Sequence, residues 1–156
     1  CRGTGSLRNR RNRITLYIAE NPTVCRKRRR PKLSMMNGYR RGWALRYIRE
    51  AKAELTAAQK TPYMAPGLIF EAMRKAQMAI YYSLGDPAYV ETIVHQTMMK
   101  KQPIEDPALR CLVEIERTVQ QIAQTPESNH ERAIKQVDDL IRIASDIVEL
   151  FTSEKA

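Results

Sequence analysis

From Tyr39 onward, apolar residues recur at helical spacing. Over 39–59, Ala44, Tyr47, Ile48, Ala51, Leu55 and Ala58 follow the i, i+3, i+4, i+7 rhythm of one helix face, with Arg46, Arg49, Glu50, Lys52 and Glu54 on the others. Thr61-Pro62 ends this helix, because a residue before proline is pushed out of the helical region. The next stretch, 66–84, opens at Pro66 and carries Leu68, Ile69, Ala72, Met73, Ala76, Ala79, Ile80 and Leu84 before Gly85 supplies a C-cap. Its apolar surface is wider than one stripe, which suits a helix central in a bundle or one that pairs with a second copy of the chain.

Two further helices share one start signal, Asp86-Pro87-Ala88 and Asp106-Pro107-Ala108. The aspartate accepts the first free backbone N–H groups, and proline at the next position loses no helical hydrogen bond. The helix over 87–100 is predicted to bury Tyr89, Val90, Ile93, Val94 and Thr97 or Met98; that over 107–124 offers Leu109, Leu112, Val113, Ile115 or Glu116, Val119, Ile122 and Ala123. Ser128-Asn129-His130-Glu131 reads as a capping box. It precedes an apolar face of Ile134, Val137, Leu140, Ile141, Ala144, Ile147, Val148 and Phe151. Short links between long helices predict an all-α, antiparallel up-and-down bundle of about five helices.

Charge divides the chain. The formal net charge is +10 over 156 residues, yet 11 of the 27 Lys and Arg and only one acid, Glu20, fall in residues 1–34, so the remainder is neutral. We read 1–34 as a basic, mostly irregular N-terminal arm and 35–156 as the bundle domain. Arg8, Arg10, Arg11 and Arg13 form one basic cluster, and Arg26, Lys27, Arg28, Arg29, Arg30 and Lys32 a second. Between them Ile14-Thr15-Leu16-Tyr17-Ile18 is the chain's β-like run, with at most a short hairpin partner in Thr23-Val24-Cys25. The chain starts at Cys1, and Met35-Met36 stands just ahead of the helical body, which fits either a cut fragment or a domain whose own start lies near Met35 or Met36. Apolar runs such as 64–70 and 76–85 fall far short of the roughly 20 residues a membrane span needs. With no secretory pattern either, the reading is a cytoplasmic protein with no membrane partner.

Catalytic signals are scarce. Cys1, Cys25 and Cys111 are scattered, with no C-x-x-C pair, and no glycine-rich phosphate loop, G-x-S-x-G elbow or HExxH motif occurs. His130 reads as an exposed helix-start residue. His95 shares a helix face with Glu91, which alone makes a weak metal pair. Glu71, Glu91, Glu114 and Glu116 could project into a bundle as carboxylate ligands do, but the Glu-x-x-His signature of bundle metal sites is absent. Asp138-Asp139 reads as a solvated face. We therefore expect no cofactor, no metal and no catalytic residue. Trp43, Tyr47, Tyr63, Phe70, Tyr81, Tyr82 and Tyr89 fall in the region of the first three helices, with Arg40, Arg41, Arg46 and Arg49 interleaved, a combination that suits stacking on bases or a core and dimer-interface packing unit.

Residues 39–94 resemble the HEPN superfamily of small helical bundles. The resemblance rests on Tyr39-Arg40-Arg41-Gly42-Trp43-Ala44 leading into Tyr47-Ile48-Arg49-Glu50-Ala51-Lys52-Ala53-Glu54-Leu55. A proline-containing loop and Ala72-Met73-Arg74-Lys75-Ala76-Gln77-Met78-Ala79-Ile80-Tyr81-Tyr82-Ser83-Leu84-Gly85 follow. It implies an intracellular bundle of four or five helices, often dimeric and associated with nucleotide or RNA chemistry. The family's ribonuclease branch places an Arg four to six intervening residues before a His. Neither His95 nor His130 has one, so the resemblance implies a non-catalytic member, with Arg74 and Lys75 at most phosphate contacts. Three readings follow: a non-catalytic binding or assembly module, homodimeric through the helices over 39–59 and 66–84; a nucleic-acid-binding protein using the arm together with Arg40 and Arg41; and a degenerate nuclease or metal-site enzyme.

Overall fold

Proline and aspartate set the helix boundaries seen in the structure, a computed structural model that describes residues 31–124 and 129–152. The helices are α1 (Pro31–Lys60), α2 (Ala65–Leu84), α3 (Pro87–Met99), α4 (Pro107–Gln124) and α5 (His130–Thr152). A 3₁₀ turn (Pro62–Met64) joins the first two, and no strand occurs among the described residues. The protein is an all-α bundle. The β-like run 14–18 and most of the basic segment lie outside the described residues.

α1 begins at Pro31, well before the predicted 39, so residues 31–34, read as part of the irregular arm, belong to a helix. Apolar periodicity marks only where a helix packs, and the buried positions it marks on α1 run from Ala44 to Ala58. Proline suits a first helical position, which fits the earlier start. At the other end Thr61, outside the helical region before Pro62 with φ −127° and ψ 81°, closes α1 by sending its backbone N–H and its hydroxyl to the carbonyl of Ala57 at 3.0 and 2.6 Å.

α2 ends differently from expectation. Gly85 has φ 174° and ψ −152°, extended backbone and not the left-handed cap glycine usually supplies. The chain passes at once into Asp86, itself held extended by Pro87. The aspartate starts behave as predicted: Asp86 Oδ1 accepts from the backbone N–H of Ala88 and Tyr89 at 2.9 and 3.3 Å, and Asp106 Oδ1 from that of Ala108 at 2.9 Å. At α5 the cap is Asn129, whose Oδ1 accepts from Arg132 N–H at 3.4 Å; Ser128, the expected capping hydroxyl, lies outside the described residues.

The core is organised around α2, which packs against α1, α3, α4 and α5, while α1 and α5 also pack on each other. Its buried set includes Ile69, Ala72, Met73, Ala76, Ala79 and Ile80. The broad apolar surface of α2 thus has its explanation inside the chain: a central helix needs apolar contact on several sides. α3 is the outlier. Only Val94 is buried on it, and Tyr89, predicted as core, is 67% exposed. No helix among the described residues is long and apolar enough to cross a membrane.

Gly42 lies within α1, and a Cβ there would meet nothing within 4 Å. Gly42→Ala is expected to stabilise the fold by about 0.5–1 kcal/mol by lowering the entropy of the unfolded chain, read as a raised urea midpoint with an unchanged m-value.

Candidate functional site

Two groups of side chains stand out from the apolar core. The first is a polar cluster between α2, α3 and α4. Helical spacing puts Arg74, Gln77 and Tyr81 on one face of α2, Glu91 and His95 on one face of α3, and Glu116 and Gln120 on one face of α4. Gln77 sits at the centre: its Oε1 accepts from Arg74 Nη1 at 2.9 Å, and its Nε2 donates to Tyr81 Oη at 2.9 Å and to Glu116 Oε2. The other carboxylate oxygen of Glu116 accepts from Gln120 Nε2 at 3.0 Å and lies 3.3 Å from His95 Nε2. Arg74 completes the set, 3.7 Å from both Glu116 and Glu91.

Glu116 is 4% exposed. Burial alone would raise its pKa, but the contacts from Gln77, Gln120 and His95 and the charge of Arg74 outweigh it and hold the carboxyl below its ordinary value. Tyr81 moves the other way: burial, then the carboxylates of Glu116 and Glu91, push its phenol well above the usual range. The arrangement pins three helices together with each oxygen of Glu116 engaged. It does not resemble a metal site, because a guanidinium stands between the carboxylates, and no group of three or more His, Cys, Asp or Glu able to hold a metal occurs among the described residues. The Glu91/His95 pair is therefore drawn toward Arg74 and Glu116. Gln77 and Tyr81 were missed as a site; the available signal was an amide in the middle of the alanine-rich stripe of α2.

The second group lies where the N-terminal half of α1 meets the C-terminal end of α2. Tyr39, Trp43 and Tyr47 recur every four residues along α1, and Tyr82 joins them from α2. Trp43 meets Tyr39 edge-on at 6.2 Å between centroids, and Tyr82 stacks on Trp43 at 6.3 Å and on Tyr47 at 5.7 Å. The Arg46 guanidinium lies 5.0 Å from the Trp43 ring centroid while its Nε donates to Glu50 at 2.8 Å. Lys75 ties the same two helices together through Glu54 at 2.7 Å and Glu50 at 3.4 Å.

Beside this stack is a cavity of about 440 Å³ lined by Tyr39, Arg40, Tyr82, Asp86 and Pro87. Of the residues predicted to bind nucleic acid, Arg40 lines the cavity, Arg41 is exposed on α1 and Lys32 falls in the first turn of α1. Arg8, Arg10, Arg11, Arg13, Arg26, Lys27, Arg28, Arg29 and Arg30 lie outside the described residues. Tyr63 and Tyr89, grouped with these aromatics in sequence, are exposed.

Comparison of the chain with protein-family models, with curated proteins and with solved structures finds no match.

Proposed function

We propose that this chain is a non-catalytic helical-bundle binding module for single-stranded nucleic acid. In this reading the basic segment Arg2–Lys32 supplies phosphate contacts, and the aromatic–arginine end of α1 and α2 supplies stacking. The observation that carries it is the gathering of Tyr39, Trp43, Tyr47 and Tyr82 with Arg46 beside it, on the half of α1 that continues from the basic segment. No Asp or Glu stands between Glu20 and Glu50, so the approach to this end is uniformly positive in sequence. Phosphate neutralisation gives affinity without sequence preference, and base–aromatic stacking adds about 1–3 kcal/mol per base for unpaired strands. Membership of the HEPN-like superfamily is part of the same proposal: much of the motif behind the resemblance falls on α1 and α2, the pair that carries this end.

The test is fluorescence anisotropy of the full chain with labelled oligouridine, the matching single-stranded DNA and a duplex, at about 50 and about 200 mM salt. Single strands are expected to bind more tightly than duplex, with affinity falling at least about 100-fold between the two salt concentrations. Arg40→Glu/Arg41→Glu is expected to weaken binding about tenfold. Absence of binding at the lower salt, or affinity indifferent to salt, rejects the reading.

A further inference from the structure

The cavity beside the aromatic stack has chemistry more selective than general stacking. At about 440 Å³ it lies within the range of small-ligand pockets and has room for one nucleotide. One wall is Tyr82, whose ring is held by Trp43 and Tyr47 and so stands in place before any ligand arrives. Another is Tyr39, 70% exposed and braced edge-on by Trp43. A planar ring entering the cavity exchanges water for aromatic surface.

The polar groups at the cavity differ in sign. Arg40, half-buried, brings Nη1 to within 3.8 Å of where a Cβ on Gly85 would stand, next to Asp86. Asp86 is an acceptor, and its carboxylate is fixed because Oδ1 is bonded to the backbone N–H of Ala88 and Tyr89; Oδ2 takes no part in those cap bonds. A planar ligand matched to this pair carries adjacent hydrogen-bond donors on one edge and a negative charge at its other end.

Among the nucleobases only guanine offers that edge, N1–H beside the N2 amino group. Adenine and cytosine each place a ring-nitrogen acceptor next to their amino group, and uracil flanks its single N–H with two carbonyls, so each sets an acceptor against the carboxylate. We propose that the cavity of Tyr39, Arg40, Tyr82, Asp86 and Pro87 holds one unstacked guanine of a bound single strand, with Asp86 reading its donor edge and Arg40 meeting its phosphate. This inference rests on the single-strand reading above and adds to it a base preference.

The experiment compares binding of the full chain to an oligouridine of about eight nucleotides and to the same oligomer carrying one central guanosine, by anisotropy at low salt. Emission of Trp43, the single tryptophan in the chain, is followed in parallel as a reporter next to Tyr82. The guanosine oligomer is expected to bind about tenfold more tightly and to change the Trp43 emission more. Asp86→Asn keeps the helix cap, since asparagine caps as well as aspartate, and its thermal unfolding is expected to match the parent. It is expected to reduce the preference to within about twofold. Equal or weaker binding of the guanosine oligomer, or a preference that survives in Asp86→Asn, overturns the guanine site and leaves single-strand binding standing. Failure of both oligomers to bind overturns both.

Discussion

Glu116→Leu is expected to destabilise the bundle by about 2–3 kcal/mol, because it removes the anion from a buried, hydrogen-bonded set and leaves a buried amide donor without its acceptor. Gln77, fully buried, loses the acceptor for one of its amide donors, and Arg74 loses one of its two carboxylates. Against a total stability of about 5–15 kcal/mol for a domain of this kind, the loss is large. Urea denaturation monitored by circular dichroism measures it.

The cluster also predicts non-additivity. In Glu116→Leu/Gln77→Leu both central polar groups are gone, so the double variant is expected to be at least about 1 kcal/mol more stable than the sum of the single losses implies. Acid adds a second check. The folded pKa of Glu116 lies below its ordinary value, so its contribution is in full effect above the unfolded carboxylate pKa and disappears as pH falls through the folded one. The stability gap between parent and Glu116→Leu is therefore expected to narrow on acidification. Arg74, His95, Glu91 and Tyr81 are the other charged or titratable groups of the cluster, and they are present in both proteins. A gap below about 1 kcal/mol, or one that does not change with pH, would contradict the role given to Glu116.

Ile80→Ala is expected to cost about 3 kcal/mol, from the lost transfer energy and the cavity left in the central helix, where Ile80 is fully buried. Tyr89→Ser on α3 is expected to change stability by no more than about 0.5 kcal/mol, since Tyr89 is largely exposed. Apolar periodicity marks both positions as core, so paired urea titrations of the two variants separate what spacing suggests from what packing makes of it. Comparable losses would place α3 in the core after all.

Helix boundaries were the legible part. Asp86-Pro87 and Asp106-Pro107 start helices wherever the rest of the chain goes, because each aspartate accepts from the N–H two residues on, and Asp86 also from the one three residues on. Thr61-Pro62 ends α1 for an equally local reason. The two departures involve the same limit: α1 extends upstream of its apolar stripe, and Gly85 is extended where a cap was expected because Asp86-Pro87 already governs the path.

The sites were legible only in halves. Tyr39, Trp43 and Tyr47 share a face by spacing alone, as do Glu91 with His95 on α3, but nothing local brings Tyr82 to the first set or Arg74, Gln77 and Glu116 to the second. By itself the sequence determined the five helices of the described residues, the aspartate starts of two of them and the residues that seek burial, since those depend on neighbours within about a turn. Tertiary structure decided that α2 is central, that Glu116 is buried with partners while Tyr89 stays outside, and that a cavity opens at Asp86. Burial of a polar group is stable only when another helix supplies its hydrogen bonds, and which helix does so is decided when the bundle closes.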